Sequence, residues 1–190
     1  RVRPELFEPA PLISILISST DEIDSLKRCI DSIQTKSSYP NYEILVVDNN
    51  SDKAESFEYF ARLKVSGVKV LKYAKPFNFS AICNFVAQHA AGEYLCLMNN
   101  DIEIQTFDWM EEMLSFAQLP QAGAVGARLW NQGSKGLRHC GLITGLGGVA
   151  GLAYEGITRT DKGYFGRPVL HHRCSAVSSS CLMRLPCSPF

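Results

Sequence analysis

The stretch CLMNNDIEI, Cys96–Ile104, runs through residues of the kind that are buried and then stops on two amides and a carboxylate. Asn and Asp are common where a strand turns over, because their short side chains satisfy local backbone groups, and a plain turn is the first explanation. Two other stretches end in a similar way: PLISILISS (Pro11–Ser19) leads into Thr20, and EILVVDNNSD (Glu43–Asp52) carries Asp48 and Asn49 after its apolar run. A carboxylate at the end of a strand can hold a divalent cation, and such a cation neutralises a departing diphosphate without any proton transfer. Asp101 is the only ionisable side chain in MNND, so the protein would supply one anionic ligand and diphosphate oxygens most of the others. Mg2+ and Mn2+ accept that arrangement. Asn100 would remain a neutral hydrogen-bonding group suited to a ribose hydroxyl, with Asp48 and Asn49 placed for a base or ribose one strand over.

These stretches matter together only if the fold brings their ends to one place. PLISILISS is a β-branched run suited to a strand buried on both faces. A helix follows in STDEIDSLKRCIDSI, with a capping box expected from Ser19 to Glu22 and one apolar stripe of Ile23, Leu26, Ile30 and Ile33. SSYPNY breaks that helix before the strand within Glu43–Asp52, and the next helix is expected to turn Phe57, Phe60 and Ala61 inward. VKVLKY (Val68–Tyr73) alternates like a strand near the sheet edge, and SAICNFVAQHAAGE predicts a helix from Ser80 that closes at Gly92. YLCLMNND is the fourth strand. This alternation gives right-handed crossovers, so the fold class is α/β: a Rossmann-like three-layer sandwich, its sheet mainly parallel, with helices on both faces. Ligands of such sheets bind outside the strand C-termini, which places Ser18–Thr20, Asp48–Asn50 and Asn99–Asp101 along one rim.

Beyond Ile104 the pattern changes. DWMEEMLSFAQ is an amphipathic helix with Trp109, Met113 and Phe116 inward, GAVGARLW (Gly123–Trp130) is a further strand, and SAVSSSCLMRL (Ser175–Leu185) is the last. Between them GLITGLGGVAGLAYEG is apolar and Gly-rich, as in a flexible segment packed over a site. Its Gly145, Gly147 and Ala150 have GxGxxA spacing, but no helix signature follows, so a packing loop is the better reading than a dinucleotide fingerprint.

At 190 residues with 46% apolar content, the chain has the length and composition of one domain with a full core. Its 19 basic residues balance 19 acidic ones and form no run or basic face, which argues against nucleic acid as a partner. The seven cysteines are an odd number, mostly inside apolar stretches and without CxxC spacing, which fits buried thiols in a reducing compartment better than disulfides or zinc. No uncharged apolar run reaches the roughly 20 residues of a membrane span. The expected location is the cytoplasm, with room for docking at the inner face of the cytoplasmic membrane through parts outside this chain.

PLISILIS, YEILVVDNNSD, GEYLCLMNNDIEI and GAVGARL, in this order and spacing, resemble family-2 inverting glycosyltransferases of the GT-A fold, and PFNFSAICN, GLGGVAG and GYFGR extend the similarity toward bacterial rhamnosyltransferase-like and O-antigen polysaccharide enzymes. The resemblance implies a single nucleotide-sugar-binding domain over residues 1–190 within a larger glycosyltransferase, with a lead-in segment at 1–10, a nucleotide-binding half at 11–104 and the start of an acceptor-binding half at 105–190. It implies Mn2+ or Mg2+ on Asp101, ribose contact from Asn100 and base recognition by Asp48 and Asn49. Ser18 and Thr20 match the nucleotide-contacting end of the first strand, and Asn84 the Asn of a covering helix. The donor would be a UDP- or dTDP-sugar, the acceptor a growing saccharide or lipid-linked saccharide, and the catalytic base would lie beyond Phe190.

Simpler roles exist for several residues. Asn78 and Asn84 suit the capping or buttressing of a helix. His139 suits a strand edge or an acceptor side, and His171 and His172, being adjacent, would point to opposite faces of a strand and could not chelate one metal. Arg128 and Arg167 suit either solvated surface or an anionic acceptor, while Glu155 and Asp161 fall in polar loops. A noncatalytic nucleotide-sugar-binding or interaction module is the main competing function. A dinucleotide enzyme is disfavoured because no Gly-rich turn follows the first strand.

Overall fold

The computed structural model describes residues 3–133, 136–154, 156–158, 161, 174 and 180–185. Strands β1 (Ile13–Ser19), β2 (Tyr42–Asp48), β3 (Lys69–Lys72) and β4 (Tyr94–Asn99) alternate with helices α1 (Ile23–Thr35), α2 (Ala54–Val65) and α3 (Phe79–Ala87). After α4 (Trp109–Ala117) come the short strands β5 (Ala124–Gly126), β6 (Leu129–Trp130), β7 (Leu137–His139), β8 (Leu142–Thr144), β9 (Ala150–Leu152) and β10 (Cys181–Arg184). Six strands form the central sheet in the order β3-β2-β1-β4-β10-β5. β1 to β4 run parallel; β10 returns antiparallel against β4, and β5 pairs antiparallel with β10.

Alternation along the strands divides the core in two. Ile13, Ile15 and Ile17 of β1 and Ile44 and Val46 of β2 pack with the buried faces of α1, α2 and α4, whereas Leu16, Leu45, Val47 and Leu95 pack with Ile82 and Val86 of α3. The expected α/β sandwich with helices on both faces is therefore present, and the stripe Ile23, Leu26, Ile30 and Ile33 is buried as its spacing demands. Parallel register fixes the rim: Ser19 stands beside Asp48, Ser18 beside Asn99, and Asp48 beside Lys72.

At the opposite end of the sheet, buried polar groups are satisfied in a cluster. Glu43 accepts from Ser14 Oγ at 2.6 Å and Ala91 N at 2.7 Å and pairs with Lys69 Nζ at 2.6 Å. Burial alone would push its carboxyl up, but the bonds from Lys69, Ser14 and Ala91 outweigh it and hold Glu43 below its ordinary value.

Several local expectations need correction. The Ser19–Glu22 capping box does not form: Ser19 is still in the strand, the chain turns through Asp21 at φ +52°, and α1 starts after Glu22 without a side-chain cap. Asp21 caps the other helix instead, its carboxylate accepting from Asp52 N, Lys53 N and Ser56 Oγ at the start of α2. In α2 the buried apolar residues are Tyr59, Phe60 and Leu63, while Phe57 and Ala61 face solvent beside a groove of about 270 Å³ next to β3. The third helix ends at Ala87. Gly92 closes no helix; it lies so near β1 that a Cβ would sit 2.6 Å from the Leu12 carbonyl oxygen and 2.8 Å from Ser14 N. In α4, Trp109 and Met113 are buried as expected and Phe116 is half-buried, with Met110 and Leu114 deeper.

Gly123–Trp130 is not one strand. It splits into β5, which joins the main sheet, and β6, which pairs with β7 in a separate ribbon. The Gly-rich segment is a hairpin of β8 and β9 rather than a loop, and its Gly145, Gly147 and Gly148 take positive φ at the turn. Of the last expected strand, Cys181–Arg184 is observed and 175–179 lies outside the described residues. Among the described cysteines, Cys29, Cys96, Cys140 and Cys181 are buried, Cys83 is half-buried and Cys174 exposed, all as free thiols. No helix among the described residues is long and apolar enough to cross a membrane.

Candidate functional site

Apart from Asn84 on α3, each candidate side chain sits at or just past the end of a strand of the parallel sheet. At the end of β2, Asp48 is 4% exposed and accepts from Ser51 N at 2.9 Å, which turns the chain out of the sheet. Beside it in register stands Ser19, 3% exposed, whose Oγ has no hydrogen-bond partner among the described residues. Native proteins pair nearly all such buried groups, with protein or with water, so this hydroxyl beside a buried carboxylate has bonding capacity left over. Ser18, on the alternate face, is half-buried beside Asn99, and exposed Thr20 donates from Oγ1 to the Asn49 carbonyl at 2.9 Å.

Asn49 has a different kind of task. Its amide donates to the carbonyls of Tyr73 at 3.0 Å and Lys75 at 2.9 Å, and Asn50, at φ +61°, donates to Lys75 as well. Both amides thus tie the segment after β3 to the end of β2. Asn49 positions the rim beside Asp48, and its Nδ2 protons are committed to backbone.

At the end of β4, Asn99 and Asn100 are half-buried and Asp101 is exposed. The Asn99 carbonyl accepts from Ile102 N at 3.4 Å, closing a turn that carries Asp101 outward. There the Asp101 carboxylate meets Arg138 of β7 at 3.4 Å, with side chains 44% and 55% exposed. The described residues hold no cluster of three or more His, Cys, Asp or Glu that could bind a metal unaided. Asp101 alone could offer a divalent ion one anionic ligand, so any such ion would need most of its oxygens from elsewhere.

Asn84 lies exposed on α3, on the far face of the sheet from α1 and α2. Asn78 caps that helix, its Oδ1 accepting from Ala81 N at 3.0 Å, as its simpler role required. His139 is buried in β7, a strand of the two-stranded β6–β7 ribbon, and burial holds its imidazole below the ordinary value. Arg128 is exposed and Asp161 lies after the last hairpin, whereas Glu155, Arg167, His171 and His172 fall outside the described residues. Ser19 lay on the expected rim without a ligand role, which its pairing beside Asp48 could have suggested; Arg138 was not anticipated and had no local signal, because a long-range placement of β7 brings it to Asp101.

Residues 14–184 match the family described as Glycosyl transferase family 2. The chain belongs to this family. Among its relatives, an uncharacterised protein, y4gI, of Sinorhizobium fredii is 39% identical over 178 residues, which are 93% of this chain and 20% of that protein. The O-antigen biosynthesis protein RfbC of Myxococcus xanthus is 34% identical over 178 residues, covering 91% of this chain and 14% of that one. The chain therefore spans a fifth or less of the length of these curated relatives. Among solved structures, the mannosyltransferase PcManGT of Pyrobaculum calidifontis, in complex with GDP-Man and Mn2+, superposes with a TM-score of 0.55 at 19% identity, over 62% of this chain and 35% of that one. The fold is that of GT-A glycosyltransferases, and membership of family 2 makes the chain a glycosyltransferase domain.

Proposed function

We propose that this family-2 domain binds a nucleotide-diphospho-sugar, a UDP- or dTDP-sugar, along the rim and passes the hexosyl group to a growing polysaccharide or lipid-linked acceptor with inversion. The observation that carries the reading is the register of β2, β1 and β4, which sets Asp48 and Asn99, two residues before Asp101, on either side of the end of β1. In this reading Asp48 recognises the base with Ser19 beside it, Asn49 holds that edge in place, Asn100 meets the ribose, and Ser18, Thr20 and Asn84 line the nucleotide. Asp101 would hold Mn2+ or Mg2+, which when bound supplies Lewis-acid stabilisation of the leaving diphosphate. Both rim carboxylates are then committed to the donor, so the base that takes the acceptor proton is assigned to neither. The likeness to RfbC supports a place in O-antigen-type polysaccharide assembly.

The test is calorimetric titration of UDP, dTDP and GDP, each with and without Mn2+, against the chain and its Asp101→Ala variant. Metal-dependent nucleotide binding that disappears in a folded Asp101→Ala protein is the expected result. Metal-dependent binding that survives the substitution removes Asp101 from the metal site. Sugar transfer with the same donors, measured separately, distinguishes an enzyme from a binding module that occupies donor without transfer.

A further inference from the structure

Asp101 and Arg138 come from different parts of the fold. Asp101 ends the turn after β4 of the parallel sheet, and Arg138 sits in β7 of the separate β6–β7 ribbon, so no shared strand pairing forces them together. Asp101 is also the only carboxylate in the MNND turn, which leaves Arg138 facing the one anionic group that this turn offers a cation. The contact, Arg138 Nη1 to Asp101 Oδ2, is 3.4 Å long between side chains 55% and 44% exposed. Charge-assisted bonds of this type are normally near 2.7–2.9 Å, and exposed ion pairs contribute little. The pair is therefore loose enough to exchange. A guanidinium has no metal-binding capacity but matches the oxygens of a phosphate as well as those of a carboxylate.

We propose that Arg138 is an exchangeable counter-cation of the donor site: it neutralises Asp101 while no donor is bound and moves to the donor diphosphate when a metal ion takes Asp101. The inference rests on the nucleotide-sugar reading of this rim. It assigns Arg138 opposite effects on two ligands. Toward a free metal ion Arg138 is a competitor, because the carboxylate must shed it and a like charge stays nearby. Toward the metal–diphosphate complex it would be a ligand, since a diphosphate brings negative oxygens that a guanidinium binds. The ordering also has a consequence for the chain: donor binding would draw β7, and with it the second part of the fold, onto the nucleotide.

Arg138→Ala and Arg138→Lys separate these roles, and both change an exposed side chain whose folding can be checked by circular dichroism. Binding of Mn2+ alone is followed by water-proton relaxation, with Asp101→Ala as the background, and binding of UDP in saturating Mn2+ by calorimetry. For Arg138→Ala the expected outcome is Mn2+ binding strengthened several-fold and UDP binding weakened about tenfold or more, the usual scale for a lost hydrogen bond to a charged group. Arg138→Lys should recover part of the UDP affinity, since charge is kept but the planar fork is lost. If Asp101→Ala loses metal-dependent UDP binding while Arg138→Ala binds Mn2+ and UDP as the parent does, the inference about Arg138 fails and the donor-site reading stands. If UDP binding weakens with no change in Mn2+ binding, Arg138 is a fixed diphosphate ligand and the exchange is overturned. If the parent chain binds neither UDP, dTDP nor GDP with Mn2+, the donor-site reading fails and this inference falls with it.

Discussion

Gly92 and Gly151 show how differently the two parts of this molecule are held. A Cβ on Gly92, just before β4, would meet backbone, with the Leu12 carbonyl oxygen at 2.6 Å and Ser14 N at 2.8 Å. A Cβ on Gly151, in β9, would meet only the Leu146 side chain at 2.9 Å, at a hairpin turn where Leu146 is 50% exposed. The first part is built from long parallel strands in continuous register, and the second from pairs of two- or three-residue strands in ribbons of their own. Asp48 and Ser19, buried and paired in register, belong to the first. Arg138, exposed and in a long ion-pair contact, belongs to the second.

The sharpest way to break this contrast is in the core beneath the rim. Ile15 is fully buried at the centre of β1, between Ile44 of β2 and Cys96 of β4. Ile15→Ala removes methyl groups from a site that cannot collapse, and is expected to cost about 2–5 kcal/mol in urea unfolding. A cost below about 1 kcal/mol would mean that the parallel sheet is no stiffer than the ribbons. Asn49→Ala probes the rim itself. It strands the Tyr73 carbonyl and leaves the Lys75 carbonyl to Asn50 alone, and should cost about 1–3 kcal/mol. Because the edge beside Asp48 loosens, UDP binding should weaken along with stability. Asp48→Ala, by contrast, should weaken UDP far more than inorganic pyrophosphate, and equal losses for the two would contradict base recognition by Asp48.

Acid titration extends the comparison without mutation. Hydrogen bonds from Ser56 Oγ and from the Asp52 and Lys53 amides hold Asp21 below its ordinary value of 3.8, the Ser56 bond being the largest cause and burial opposing it. Glu43 is held below 4.5 by Lys69, Ser14 and Ala91 in spite of its burial. For a carboxyl depressed in the folded state, the unfolded chain binds more protons as pH falls, so the stabilisation is complete above the unfolded value and is lost as pH drops through the folded one. Unfolding monitored between pH 5 and about pH 2 should therefore show stability falling below about pH 4. Asp21→Asn should flatten part of that fall, and an unchanged profile would remove Asp21 as a cap of α2.

How far the sequence revealed the structure follows the same divide. The alternation of strands and helices, the mainly parallel sheet and the common rim were legible because β1 to β4 and their helices each carry a local period and right-handed crossovers align the strands, whereas the order β3-β2-β1-β4 was not. Helix ends were less legible. A Ser–x–x–Glu pattern reads as a cap, but Ser19 gains more by staying paired in β1, and Gly92 looked like a helix stop when its task is close approach to Leu12 and Ser14. Phe57 and Ala61 have the apolar character of inward residues, yet α2 at the sheet edge has only one covered face, and Tyr59, Phe60 and Leu63 fill it. In the second part the strands are too short to carry a period. The joining of β5 to β10 and the meeting of Arg138 with Asp101 depend on long-range pairing that no local pattern encodes, whereas the β8–β9 hairpin is local but its three-residue strands are too short to stand out.

The smallest expected effect decides whether the contrast is one of architecture or only of burial. Gly92→Ala and Gly151→Ala add the same methyl group at positions where the backbone needs no positive φ, so conformational strain is the same small term in both. In the unfolded chain the two substitutions stabilise the native state alike, by about 0.4–1 kcal/mol through lost backbone entropy. What differs is the folded-state clash. At Gly92 the obstacle is the backbone of β1, which cannot retreat without parting from β2 and β4, so Gly92→Ala should be net destabilising by about 1–3 kcal/mol. At Gly151 the obstacle is a half-exposed leucine with free rotamers, and moving it costs little. Gly151→Ala is therefore expected to lie within about 0.5 kcal/mol of the parent in the same urea titration, the range of ordinary surface changes. A loss at Gly151 comparable to that at Gly92 would show the β8–β9 hairpin to be as rigid as the sheet, and would remove the ground for treating the second part of the fold as the one that moves.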